Sequence, residues 1–215
     1  VLHTVYFLLL DKGYRVGDLS LVYPLARGSG PLLAVVAAIL FLGERPSPLA
    51  VAGAIMIGIG VFTLTGDPRK LRENGALRAV GFALLTGTVI AAYTLWDKVA
   101  VSTLLIPPLL QDWGNNLGRT FLMVPLAARH SGKIRYAWNN FRKEVIMVAI
   151  LCPLSYIMIL SALAFTPVSY IAPSREISIL IAALMGSHFL AEGNLGRRML
   201  AATAMVIGVI ALALG

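Results

Sequence analysis

The chain is written in long apolar runs separated by short polar connections. After an opening run of about ten residues, VLHTVYFLLL, seven apolar segments follow at 17–42, 47–65, 79–97, 103–128, 145–165, 168–190 and 197–214. A bilayer core needs about 20 apolar residues in a helix. Each of the seven therefore predicts a membrane-spanning helix, the longest with tilt or a break. The opening run is too short to span, and no basic n-region or cleavage site accompanies it. It predicts the end of a helix that begins before Val1 rather than a signal peptide.

Composition agrees with this pattern. The chain is 58% hydrophobic and only 13% charged, against roughly 25% charged in soluble domains. Its 20 glycines and 11 prolines fall largely inside apolar runs, as membrane helices tolerate. The class expected is an all-α polytopic membrane protein, multi-pass in a plasma membrane of the bacterial inner-membrane kind, with the lipid bilayer as its first partner. The net charge of +8 does not point to nucleic acid, because most basic residues lie between the runs. Alternate connections hold thirteen Lys and Arg against two in the others. The positive-inside rule places the richer set, which includes 66–78 and 129–144, in the cytoplasm. The single Cys152 allows no disulfide, and His3, His130 and His188 are too far apart for a metal-ligand pattern. Neither a metal nor a cofactor is expected.

Two stretches repeat each other. Residues 25–64 align with 173–214 so that Arg27 meets Arg175, Glu44 meets Glu192 and Gly60 meets Gly208; one residue out of phase, Ser20 meets Ser169 and Pro24 meets Pro173. Five spans separate the starts of the copies, and an odd number inverts one copy across the membrane. Inverted repeats with interrupted helices in matching positions point to a secondary transporter.

The same residues carry a family resemblance. YPLARGSGPLL, LFLGERPSPLAVAGAIMIGIGV, AAYTLWDK and SREISILIAALMGSHFLAEG resemble the drug/metabolite transporter superfamily, in its ten-helix EamA-type branch of two inverted five-helix repeats. The resemblance implies that 1–66 is the remainder of the first repeat (end of helix 3, helices 4 and 5). Residues 67–78 would be a basic inter-repeat loop and 79–215 the second repeat (helices 6 to 10). The first two helices would be lacking. It also implies cytoplasmic termini, opposite to the orientation given by the basic residues. The function implied is alternating-access transport of small organic solutes or metabolites, with no enzymatic activity; a coupling proton and a homodimer are compatible with it. The alternatives are a non-transporting fragment and a membrane-embedded enzyme, although the sequence offers no His/Asp, Ser/His or metal cluster for the latter.

Ionisable residues inside spans are the candidate machinery, since an arginine at a helix centre costs about 2.5–3.5 kcal/mol on insertion scales. Ser20, Tyr23, Pro24, Arg27 and Pro31 share one face by their spacing of three to four, and Ser169, Pro173 and Glu176 share another, with Arg175 beside it. The two faces are expected to line a substrate path. The alternative is that Arg27 and Arg175 are neutralised by Glu176 and Asp112 in structural ion pairs. Gln111, Asp112, Asn115, Asn116 and Arg119 form the most polar stretch of any span, available to a substrate or to another helix. Gly114 and Gly118 are spaced for close helix approach there. Trp96, Asp97 and Lys98 read as an interfacial anchor; the resemblance adds Tyr93, Trp96 and Asp97 as cavity or gate residues. Glu44 and Glu192 read as helix-end structure rather than proton coupling. Gly53, Gly58, Gly60 and Gly208 read as packing positions.

Overall fold

Alanine and glycine at close spacing along residues 26–38 decide how the helices assemble, because small side chains let neighbouring backbones approach. The computed structural model describes residues 2–16, 19–65, 76–178, 181 and 195–215. The described residues form an all-α protein: α1 (Leu2–Val16), α2 (Leu19–Leu42), α3 (Pro48–Thr65), α4 (Ala76–Lys98), a π-helical turn (Val99–Thr103), α5 (Pro108–Arg129), α6 (Ser131–Asn140), α7 (Arg142–Phe165), α8 (Val168–Ser174) and α9 (Leu195–Leu214). No strand occurs among them.

The chain divides into two compact units, residues 1–5 with 96–165 and residues 6–95 with 166–215. In the larger unit α2 is central. Val22 and Ala26 of α2 pack on Ala79 and Ala83 of α4, with Leu10 and Tyr14 of α1 against them. Gly28 lies under the Phe62 ring of α3 and Gly30 against Ile90 of α4. On the other side α3 packs along α9 around Ala50, Ile57, Val61, Met205 and Leu212.

That α3–α9 contact is reciprocal. A methyl group at Gly53 would lie 2.5 Å from the Gly208 carbonyl oxygen, and one at Gly208 would lie 2.7 Å from the Gly53 carbonyl oxygen. Exchanging the repeat copies at their offset of 148 turns Gly53/Gly208 into Ala201/Gly60. Gly60 does sit against the Ala201 carbonyl oxygen, where a methyl would be 3.1 Å away. Ile57 and Met205 exchange with each other, and both are fully buried at the centre of the contact.

In the smaller unit α5, α6 and α7 pack on one another and α5 and α7 on the π-helical turn. Lys98 Nζ donates to the Leu163 carbonyl at 2.8 Å, and Leu160 and Leu163 are the buried residues of α7.

The element boundaries follow the apolar pattern with four differences. The opening run continues through Asp11, Lys12 and Arg15 as α1, the Arg15–Asp11 pair bridging one turn at 2.8 Å. The connection 129–144 contains α6, a helix too polar to register as an apolar run. The span drawn over 103–128 starts later, at Pro108, because the π-helical turn and a corner at Leu105 in the left-handed region (φ 53°) intervene. The span drawn over 168–190 breaks after Ser174 in a turn at Arg175–Glu176. Among the described residues, three stretches are long and apolar enough to cross a membrane, Leu25–Leu42, Leu77–Thr103 and Arg142–Phe165, with shorter apolar helices at Pro48–Thr63 and Thr203–Leu214. The α5 segment is not among these because Gln111–Arg119 interrupts its apolar character. Most of 66–78, the remainder of 168–190, and Glu192 lie outside the described residues.

Candidate functional site

Arg27 sits in the middle of α2, where the helix stays unbroken through Gly28, Ser29, Gly30 and Pro31. Its counterpart does not stay helical. Pro173 has no N–H for the Ser169 carbonyl, and past Ser174 the backbone tightens: Glu176 N donates to Pro173 O at 3.0 Å and Ser178 N to Arg175 O at 3.3 Å. This turn brings Arg175 and Glu176 to the flank of α2.

One cavity of the larger unit collects these groups. Arg27 and Pro31 line it from α2, Ile90, Tyr93 and Thr94 from α4, and Ala172, Arg175 and Glu176 from α8 and the turn behind it. Arg27 Nε stands 4.0 Å from Glu176 Oε2, with side-chain exposures of 28% and 5%. The expected Arg27–Glu176 pair is therefore present at the limit of an ion pair. Glu176 Oε2 is buried and accepts no hydrogen bond among the described residues, which in a native interior calls for a water, ion or ligand. Tyr93 is buried and meets Tyr6 edge-on, ring centroids 6.2 Å apart at 82°. Thr94 is buried and spends its hydroxyl proton on the Ile90 carbonyl at 2.8 Å. The free space is small, enough for about one water molecule. Among the described residues, two guanidinium groups and one carboxylate line this space.

Other sequence candidates lie elsewhere. Ser20, Tyr23 and Pro24 are on α2, but their side chains fall outside the described residues. Ser169 and Pro173 are buried in α8 and do not line the cavity. Ser169 is held by Glu44, whose carboxylate accepts from Val168 N at 2.7 Å, Ser169 N at 2.9 Å and Ser169 Oγ. Glu44, read from the sequence as structure at the end of its own helix, thus caps the N-terminus of α8.

The smaller unit holds the rest. Trp96 is exposed, whereas Asp97 is fully buried rather than at a wet helix end as the interfacial-anchor reading had it. Asp97 accepts from Gln111 Nε2 at 2.9 Å and from the Tyr156 hydroxyl. Asp112 accepts from Asn116 Nδ2 at 2.9 Å, and Arg119 donates to Asn116 Oδ1. Asn115 Nδ2 is buried with no partner among the described residues. A methyl at Gly114 or Gly118 would meet nothing within 4 Å, so the close helix approach expected there does not occur among the described residues. Tyr156, Thr94 and His3 were not singled out by the sequence. The available signal for Tyr156 was a hydroxyl-bearing residue inside the otherwise apolar run 145–165.

No group of three or more His, Cys, Asp or Glu placed to hold a metal occurs among the described residues.

No family model and no curated protein matches the chain. A solved crystal structure of a protein superposes with a TM-score of 0.75, covering 98% of this chain and 74% of its own, at 16% identity. At that identity the likeness establishes a shared fold.

Proposed function

We propose that this chain is a polytopic membrane transporter of the ten-helix inverted-repeat kind that moves small organic anions by alternating access. The observation that carries the reading is the Arg27–Arg175–Glu176 cavity. Two arginines at matching repeat positions line one space together with the Glu176 carboxylate. The reciprocal Gly53/Gly208 and Gly60/Ala201 contacts support a two-fold relation between the copies. Long apolar helices support membrane embedding.

Ion pairs kept inside apolar helices favour function over stability, since hydrophobic replacements of the same volume are often neutral or better. A carboxylate or phosphate entering the cavity would replace Glu176 as the partner of the guanidinium groups, in a space that now admits only about one water. Opening and closing around that space is what alternating access requires.

Arg27→Ala in the complete gene product, reconstituted in proteoliposomes, is expected to lower uptake of a radiolabelled carboxylate or phosphate metabolite about 10–100-fold, the loss of one charge-assisted contact. Uptake equal to wild type across a panel of such anions, in a variant of normal thermal stability, would exclude the assignment.

A further inference from the structure

The connection 129–144 holds Arg129, Lys133, Arg135, Arg142 and Lys143, with Glu144 as its one acid. Among the described residues no carboxylate pairs with Arg129, Arg135, Arg142 or Lys143. The helix inside this connection, α6, is not spent on the core. Ile134 is 52% exposed, Tyr136 64%, Trp138 44% and, at the corner after the helix, Phe141 50%. At about 3.6 residues per turn, Ile134, Ala137 and Trp138 fall on one stripe, with positions 133 and 135 on its two flanks. Arg142 Cζ stands over the Trp138 ring, 5.2 Å from its centroid. The Tyr136 and Phe141 rings meet edge-on, centroids 6.4 Å apart at 65°.

The links to α6 fix its level. His130 alone separates it from α5, and Phe141 alone separates it from α7. One residue of chain reaches about 3.6 Å, so α6 is held where α5 ends and α7 begins. The 24 residues of α7 extend about 36 Å, more than the roughly 30 Å of a bilayer core. Its first three residues, Arg142, Lys143 and Glu144, are charged, and the apolar run begins at Val145. With α7 as a span, that charged start lies among the headgroups, and α6 lies there with it. We propose that α6 is an interfacial helix that binds anionic phospholipid headgroups. Ile134 and Trp138 enter the acyl boundary, and Arg135, Arg142 and Lys143 take the lipid phosphates.

Charge and side-chain type both select this occupant. An apolar stripe bordered by basic positions is the pattern of a helix lying in the plane of the interface. Tyrosine and tryptophan rings belong at the same depth, one part apolar and one part wet. Clustered basic residues beside a span are drawn to anionic lipid. The same residues carry the positive-inside reading, which assigns this connection to the cytoplasmic leaflet, the anionic one. A second copy of the chain docked face to face would set these cations against their own equivalents, and like charges oppose that occupant. The inference rests on α5 and α7 being membrane spans; it does not depend on which solute is carried or on Arg27.

Tryptophan quenching in nanodiscs tests it. The complete protein keeps Trp138, and every other tryptophan, Trp96→Phe and Trp113→Phe among them, is changed to phenylalanine. The discs hold phosphatidylcholine and phosphatidylglycerol in equal parts, one of the two carrying chains brominated near the headgroup. Trp138 emission is expected to be quenched severalfold more by brominated phosphatidylglycerol than by brominated phosphatidylcholine. Each basic residue near an anionic surface contributes about five-fold in affinity. Arg135→Gln/Arg142→Gln/Lys143→Gln should therefore abolish the preference, as should high salt. Equal quenching by the two lipids, or a preference that survives the triple variant, overturns the proposal. A companion variant that keeps Trp113, 61% exposed on α5, reports the span itself. Trp113 quenched with Trp138 unquenched overturns the α6 inference and leaves the spans standing, and cross-linked dimers in that case identify a second copy as the occupant. Both unquenched overturns the spans as well. Where the tryptophan variants do not fold, native mass spectrometry of wild type and the triple variant reads the same preference. Phosphatidylglycerol retained equally by the two overturns the proposal. Arg27→Ala uptake bears on none of these outcomes.

Discussion

Replacing Gly53 by leucine is expected to abolish accumulation of folded protein. The contact it occupies has no slack: a bare methyl would already be 2.5 Å from the Gly208 carbonyl oxygen and 3.0 Å from Leu212 N. Both neighbours are backbone, so no rotamer change relieves the clash, and the α3–α9 pair must separate. That separation would uncover Ile57 and Met205, which are fully buried. Overpacking in a well-packed core costs about 1–3 kcal/mol where side chains can adjust; here the adjustment is the helix pair itself, and the loss is expected to exceed that range. Gly53→Ala should show a smaller form of the same defect. Gly81→Ala and Gly114→Ala are the controls, since a methyl at either meets nothing within 4 Å and alanine is the better helix former by about 1 kcal/mol. Fluorescence-detected size exclusion with a thermal ramp reads all four. A monodisperse Gly53→Leu variant with the wild-type melting temperature would mean that α3 and α9 do not pack through this position.

Much of this fold was legible in the sequence because apolar runs and their polar breaks report helix length directly. The arginine-bearing faces were legible for the same reason: an ionisable residue inside an apolar run has few explanations, and Arg27, Arg175 and Glu176 meet at one cavity. Less was legible where the partner is distant in sequence. Asp97 looked like an interfacial anchor because its neighbours in the chain are Trp96 and Lys98; what buries it are Gln111 and Tyr156, and no local spacing announces either. The glycines show the same limit. Gly53 and Gly114 sit in comparable small-residue settings, yet the first lies against another backbone and a methyl on the second would meet nothing within 4 Å among the described residues, since spacing says that a helix can come close and not that one does. The span drawn over 168–190 is interrupted after Ser174, directly behind Pro173. The unbroken course of α2 past Pro31 shows that the matching copy need not share it.

Glu44→Ala is expected to destabilise the protein by about 3 kcal/mol. One carboxylate accepts from Val168 N, Ser169 N and Ser169 Oγ, and hydrogen bonds to a charged acceptor contribute about 1.5–3 kcal/mol each without adding in full. The two backbone donors belong to the first turn of α8, whose N-cap, Pro167, makes no side-chain cap bond of its own. Without Glu44 these buried N–H groups have no helical acceptor. The effect should reach the cavity as well, because the seven residues of α8 are what carry Ala172 and the Arg175–Glu176 turn to α2. Glu44→Gln separates capping from charge. Its amide oxygen can still accept from Val168 N or Ser169 N, so a capping role predicts a melting temperature between those of wild type and Glu44→Ala, with solute uptake falling in the same order. A proton-carrying role predicts instead that Glu44→Gln keeps most of the stability while losing uptake as completely as Glu44→Ala. Melting curves and uptake measured on the same preparations decide between them, and the three-donor geometry at the start of α8 favours the capping order.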